Sequence, residues 1–360
     1  MPLEKLTGRH YLFFVVCLTI ISIKAYPGMI IERTGRDSWV FVLAAGLVLL
    51  LLGSVITGAF ARKNIPDINH LYLKAFGKYT GKLMLLLFAL ALFLNGCESI
   101  SVLSSIIHTN MFIQTPVWFG LLFFAVPGIY ILSKGFDSLL KVVLLSVFLM
   151  LISIILLIIM EIPYNHFSYA LPALQSPLNY RKVLGWVAAF GSMSSLGISF
   201  PYLSRMAERS SLRKYFIISA AISFIVAAYS MLSIVATFGE TRAANLFFPE
   251  FIQAQRISYG DYVESGELFS LIQNLFGFMV KYLLSLFGIY IIYKDKIMNT
   301  FRFFLILSVT VFIFSFIITG STYILMYRLY WLAIINIVFL LLIPLISVIV
   351  FNGRNISSKQ

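Results

Sequence analysis

Charge is what this sequence has least of. Of its 360 residues only 11% are Asp, Glu, Lys or Arg, while 60% are apolar. A soluble domain is nearer one quarter charged and one half apolar, so the scarcity excludes an ordinary soluble globule. Segments 142–160, 215–238 and 329–351 carry no charge at all. Cysteine is nearly absent: Cys17 and Cys97 both fall in apolar runs, which excludes a disulfide framework and reads as packing. The four histidines, His10, His70, His108 and His166, are scattered and never pair at helical spacing, so no metal motif forms. No nucleophile motif, paired acid–base spacing or cofactor fingerprint is present, and the chain is not expected to be an enzyme. The alternating segments of a β-barrel are missing too. After the first apolar run no small-residue cleavage site follows, so that run is expected to be retained as a helix.

Long, continuous Leu/Ile/Phe runs are what remains. A bilayer core of ~30 Å takes roughly 20 apolar residues per helix. In lipid a helix satisfies its own backbone hydrogen bonds. The runs predict an all-α integral membrane protein with about ten transmembrane helices, at 11–31, 38–60, 82–108, 115–133, 140–160, 183–204, 214–238, 266–293, 300–320 and 328–351. Residues 1–360 then form a single transmembrane domain. Segment 67–82, with Ile68, Leu71, Leu73 and Phe76 among lysines, reads as an interfacial helix.

The net charge is +13. With the N-terminus inside, one set of loops collects most of the Lys and Arg. The other set carries only Arg33, Arg36, Arg181, Lys182, Arg242, Arg256 and Arg328. The positive-inside rule places the richer set, and both termini, in the cytoplasm. The basic charge therefore reads as topology and contact with anionic membrane lipid, not nucleic-acid binding.

Two of the ten helices are interrupted at comparable points. The first contains Lys24-Ala25-Tyr26-Pro27-Gly28-Met29, where proline removes a donor and glycine loosens the chain. The sixth contains Gly191-Ser192-Met193-Ser194-Ser195-Leu196-Gly197-Ile198-Ser199-Phe200-Pro201. Either break alone could be an ordinary kink or a small-residue packing face. As first and sixth of ten they suggest a five-plus-five inverted repeat, repeat one about 11–160 and repeat two about 183–351, with a binding site at the bilayer midplane.

That site would take Ala25, Tyr26, Gly28 and Met29 from the first break, Gly191, Ser192, Met193 and Ser194 from the sixth helix, and Asn95 from the third. Pro27 is preset for a first helical position, so the N–H groups of Gly28 and Met29 would face an anion such as an amino acid's carboxylate. Carbonyls around Gly191 and Ser192 would face its ammonium. Three charges lie inside helices at similar depth: Lys24, Glu98 and Lys281. Each costs ~2.5–3.5 kcal/mol if left in lipid. They must therefore pair or face a cavity, either as a structural ion pair or as a ligand or cation site. Lys24 could pair with Glu98 or attract a ligand carboxylate, and the Lys281 ammonium could stand where a coupling sodium ion would. Asp261, Glu264 and Glu267 enter the eighth helix, where carboxylates suit an N-terminus.

In order and spacing the chain resembles the endospore germination permease family, the B subunit of Ger-type nutrient germinant receptors. The resemblance rests on Pro27-Gly28 followed by Gly35-Arg36-Asp37-Ser38-Trp39, on Thr115-Pro116, and on Gly260-Asp261-Tyr262 with Glu264 and Glu267 ahead of Lys281. It departs from the family pattern where Ser192 and Met193 follow Gly191, and near Asn274. The resemblance implies the amino acid/polyamine/organocation superfamily and the same inverted-repeat fold. It also implies a receptor subunit that binds a small nutrient, most simply an amino acid, with A-type and C-type partner subunits in the spore inner membrane. An autonomous secondary permease coupled to protons or sodium would need the same pocket, and the sequence leaves both open.

Overall fold

A computed structural model describes residues 6–62, 65–258 and 264–357. Helix α1 (Gly8–Ala25) ends at Tyr26, whose φ of −133° and ψ of 55° leave the helical region. Pro27 then opens α2 (Gly28–Thr34), so the first span is broken where Pro27-Gly28 predicts. Gly35, at φ +59°, supplies the left-handed turn into α3 (Ser38–Arg62). A short α4 (Ile68–Phe76) follows, capped by the Asp67 carboxylate, which accepts from the His70 N–H. Gly77, at φ +82°, turns the chain into α5 (Lys78–Asn110). Then come α6 (Val117–Ser133) and α7 (Phe136–Glu161).

The sixth span starts as α8 (Tyr180–Met193), capped by Asn179, and changes winding at Ser194. From Ser194 to Arg205 it is a twelve-residue 3₁₀ helix. Runs longer than three or four residues are uncommon and mark strain or a hinge. Next are α9 (Leu212–Phe238), the short α10 (Glu240–Ala244) and α11 (Pro249–Gln255), and α12 (Glu267–Tyr293). The last elements are α13 (Thr300–Ile318) and α14 (Thr322–Ile335), which runs through a π-helical stretch, Asn336–Leu342, into α15 (Ile343–Ser357).

Among the described residues nine helical units are long and apolar enough to cross a bilayer, and α6 is a shorter apolar helix beside them. Each of the ten predicted spans finds its helix. Burial sorts them into layers. In α1 and in the sixth span 78% of the apolar window is buried, against 22% in α13. The two interrupted helices are thus the centre, and α13 faces lipid. Apolar burial does not drive helices together in lipid, so close packing must. Gly46 and Gly53 of α3 lie directly against the Phe224 and Phe216 rings of α9, where a Cβ would overlap them.

One expectation needs correction. The segment at 67–82 is not one interfacial helix, because Gly77 divides it and α5 begins at Lys78. In α4 the buried side is Ile68, Leu71, Tyr72 and Ala75, and Leu73 is exposed. The helix packs on α5 and α15, so its inward stripe is set by them. Of the three acids ahead of the eighth helix, Asp261 lies outside the described residues. Glu264 precedes the helix, and Glu267 is its first residue.

The end of the bundle rich in Lys and Arg is tied by Leu6, which bridges to Met206. Leu6 N–H donates to Arg205 O, and Ala207 N–H donates to Leu6 O, at 2.9 and 2.8 Å. The start of the first span is thereby fixed to the end of the sixth.

Candidate functional site

Where α1 stops, three helices bring charge together. Lys281 of α12 is fully buried, and its Nζ donates to Glu98 Oε2 at 2.5 Å and to Ser22 Oγ at 2.7 Å. Ser22 Oγ donates to Glu98 Oε1 at 3.0 Å, and Tyr26 OH donates to the same oxygen at 2.5 Å. The result is a closed ring of one ammonium, one carboxylate and two hydroxyls. The local sequence explains the convergence. Ser22 and Tyr26 are four apart on one face of α1, and the Tyr26 backbone leaves the helix just as its hydroxyl meets Glu98. Each charge is matched by the other and by hydrogen bonds, which is the condition for burying ions. A cleft of about 200 Å³ between α5 and α14 reaches Glu98, lined also by Leu94, Arg328, Leu329, Trp331, Leu332 and Ile335.

Lys24 does not pair with Glu98. Its Nζ meets Glu250 Oε1 of α11 at 2.5 Å, with Ser230 Oγ at 3.4 Å. Lys24 and Lys281 lie on opposite sides of the α1 terminus, and Lys281 already occupies Glu98. The loop-like composition around 240–260 concealed α11, whose Pro249, Glu250, Phe251, Gln253 and Ala254 are buried. The signal available was Phe248-Pro249, an apolar residue before a proline able to open a helix.

Ala25, Tyr26, Gly28, Met29, Asn95, Gly191, Ser192, Met193 and Ser194 are all buried. The bundle brings Tyr26 to Glu98, and Asn95 lies one turn before Glu98 on the same helix. Asn95 Nδ2 donates to Asn336 Oδ1 at 2.7 Å, and Asn336 Nδ2 returns a bond to Asn95 Oδ1 at 3.3 Å. This pair joins α5 to the π-helical stretch and was not foreseen. Ser192 and Ser194 donate back to Ala188 O and Phe190 O within their own helix. Ser195 donates to Leu18 O of α1 at 2.6 Å. The expected carbonyl break at Gly191 and Ser192 is displaced: α8 continues through both and changes winding after Met193. Gly28 faces the carbonyl of Leu246, and Gly191 faces the backbone of Ala333. Both glycines serve the close approach of another chain segment.

At the opposite end from the Leu6 bridge lies a polar cavity of about 520 Å³, lined by residues including Glu32, Arg36, Asp37, Arg181, Lys182 and Glu240. Its wall is fixed by Lys182, whose Nζ meets Asp37 Oδ2 at 2.7 Å and Ser176 O at 2.9 Å. Among the described residues no group of three His, Cys, Asp or Glu side chains is arranged to hold a metal ion.

Interrupted first and sixth helices around a buried charged centre define an integral membrane protein of the inverted-repeat transporter fold. A solved structure of a Na⁺-coupled sialic acid symporter, in a substrate-bound outward-open state, has the same architecture. It matches at a TM-score of 0.61 with 13% identity, over 93% of this chain and 79% of the symporter. More particularly, the family model of spore germination proteins matches residues 8–324, and the chain belongs to that family. No curated protein sequence matches it significantly. Family and fold point to a multi-pass membrane permease or receptor for nutrients rather than an enzyme.

Proposed function

We propose that this chain is the membrane subunit of a spore nutrient germinant receptor that binds an amino acid at the bilayer midplane. The Lys281–Glu98 pair at the break in the first helix carries the reading. An amino acid is a zwitterion, and it can replace each partner of that pair for the other. Its carboxylate would take the Lys281 ammonium, and its ammonium would take Glu98 and the Tyr26 hydroxyl. The exchange keeps every buried charge compensated, as a low-dielectric interior requires. Ala25, Met29, Asn95, Ser192, Met193 and Ser194 surround the ligand, and Met193 and Asn95 select its side chain. Binding opens the pair, shifts the bundle between two conformations, and is read by A-type and C-type partner subunits. The protein sits in the spore inner membrane with both termini and the Lys-rich end in the cytoplasm. Family membership supports the assignment to germination.

The transporter fold favours a second reading, an autonomous permease coupled to protons or sodium. One experiment separates the two. Spores carrying Lys281→Met should lose nutrient-triggered germination out of proportion to any fall in protein level. Lys281→Arg should rescue only in part, because a planar guanidinium is not a compact ammonium. Vesicles containing the chain alone should take up no labelled amino acid. Saturable uptake would make it a permease, and full germination by Lys281→Met would remove the pair from the site.

A further inference from the structure

A second buried polar cluster lies beside the first, around the end of α7. Glu161 Oε2 accepts from Ser233 Oγ of α9 at 3.2 Å, and Gln253 Nε2 of α11 donates to that hydroxyl at 2.8 Å. Gln273 Nε2 of α12 donates at 3.0 Å to Glu250 Oε1, the oxygen that meets Lys24. Five elements therefore converge here.

Two balances fail to close in this cluster. The first is charge. Lys24, Glu161 and Glu250 are 3%, 4% and 2% exposed, which leaves one buried negative charge in excess. The second is hydrogen bonding. Among the described residues Glu161 Oε1, Gln253 Oε1 and Gln273 Oε1 are buried without a partner, against one unpartnered donor group, Asn165 Nδ2, whose own oxygen faces Ser233. The three acceptors belong to groups that already use their other polar atom. Buried polar atoms are ordinarily satisfied, and a buried carboxylate without a counter-charge is strongly disfavoured. A missing positive charge and a surplus of oxygen acceptors are the same deficiency seen twice.

We propose that Glu161 and the amide oxygens beside it bind one small monovalent cation from solution, a proton or a sodium ion. A proton on Glu161 would turn its free oxygen into a donor to one amide oxygen. A sodium ion would draw in Glu161 Oε1 and the amide oxygens beside it. Ile162 and Pro163, next in the chain, are exposed, so the site is close to water. The ring of Lys281 and Glu98 is balanced already and needs no such ion. Among the described residues the charged and titratable groups around Glu161 are Lys24 on α1, Glu250 on α11 and Tyr229 on α9. α12 contributes amides here, and α6 carries no charged side chain. His166 lies five residues on, against the ring of Tyr169. Filling the site leaves Lys24 to Glu250 alone, so occupancy strengthens the tie between α1 and α11. The proposal does not depend on what binds at Lys281.

The test uses the purified full-length chain in detergent, with thermal unfolding followed in two arms. One lowers the pH from about 8 to about 5 in choline chloride. The other replaces choline by sodium at about pH 8 and constant ionic strength. Tm should rise by about 2 °C or more in one arm, as a ligand specific to the folded state requires. Glu161→Gln should respond in neither, and His166→Gln should respond like the native chain. In the proton arm, infrared difference spectra should contain a protonated carboxyl band that Glu161→Gln lacks. If Glu161→Gln does not accumulate, Gln253→Met should show the same rise at least threefold weaker in ligand dependence. A native chain indifferent to both ions, or a Glu161→Gln or Gln253→Met chain that responds as it does, would overturn the site.

Discussion

Two of the buried ion pairs, Lys281–Glu98 and Lys24–Glu250, have the same N–O distance, 2.5 Å, and very different surroundings. Lys281 and Glu98 project from two long, continuous helices, α12 and α5, and two hydroxyls of α1 close their ring. Lys24 is the next-to-last residue of a helix, and Glu250 belongs to a seven-residue one. A second carboxylate, Glu161, stands within the field of that pair. Contact distance therefore says little about what a buried pair does. The neutral ring can be exchanged for a zwitterion without leaving a charge behind, whereas the excess of the other cluster can only be met by a cation.

Substitutions grade that contrast. Lys24→Met should have the largest effect, since it strands two buried carboxylates. We expect a loss of at least about 3–5 kcal/mol, seen as poor accumulation, with Lys24→Met/Glu250→Gln recovering much of it. Lys281→Met should fall toward the lower end of that range, because Ser22 and Tyr26 still bond Glu98. If thermal unfolding in detergent ranks Lys281→Met below Lys24→Met in stability, the contrast is inverted. Asn95→Leu removes a neutral partner beside the ring and leaves Asn336 unsatisfied, at about 1–2 kcal/mol. Adding Asn336→Leu should return the protein close to native stability in a double-mutant cycle. Arg36→Ala serves as the exposed reference. Its contact with Glu240, at 3.7 Å and about 40% exposed on both sides, should contribute under about 0.5 kcal/mol.

Much of the architecture was legible because lipid imposes it. A chain that must satisfy its own backbone writes long uncharged runs, so the ten spans and both interrupted helices could be read from residue type alone. The partners inside the bundle were less legible. Lys24 and Glu98 are both rare intramembrane charges, and pairing them was the simplest accounting. Glu250 escaped because α11 is short and has a loop's composition, and Glu161 escaped because it terminates an uncharged run. Gly28 and Gly191 show a deeper ambiguity. Glycine lining a ligand cavity and glycine admitting another backbone have the same signature. The carbonyl of Leu246 and the backbone of Ala333 fill the space beside them. Replacing either by valine would displace those backbones whether or not a nutrient binds, so germination tests belong on Lys281 and Met193. The glycines, serines and proline in the middle of the sixth span signalled a weak helix, but not where its winding would change, since that depends on Ala333 and Leu340 packing against Gly191 and Gly197.

The winding of that span has a mechanical consequence. A 3₁₀ helix rises about 2.0 Å per residue and an α-helix about 1.5 Å. The twelve residues from Ser194 to Arg205 are therefore about 6 Å longer than the same residues wound as α-helix. That difference is slightly more than one α-helical pitch. Its far end is tied to Leu6, at the foot of the first span. Rewinding would pull on that tie with a stroke of one turn while Gly191 stayed seated against Ala333. Axial length, as distinct from tilt or rotation, is a degree of freedom stored in this helix.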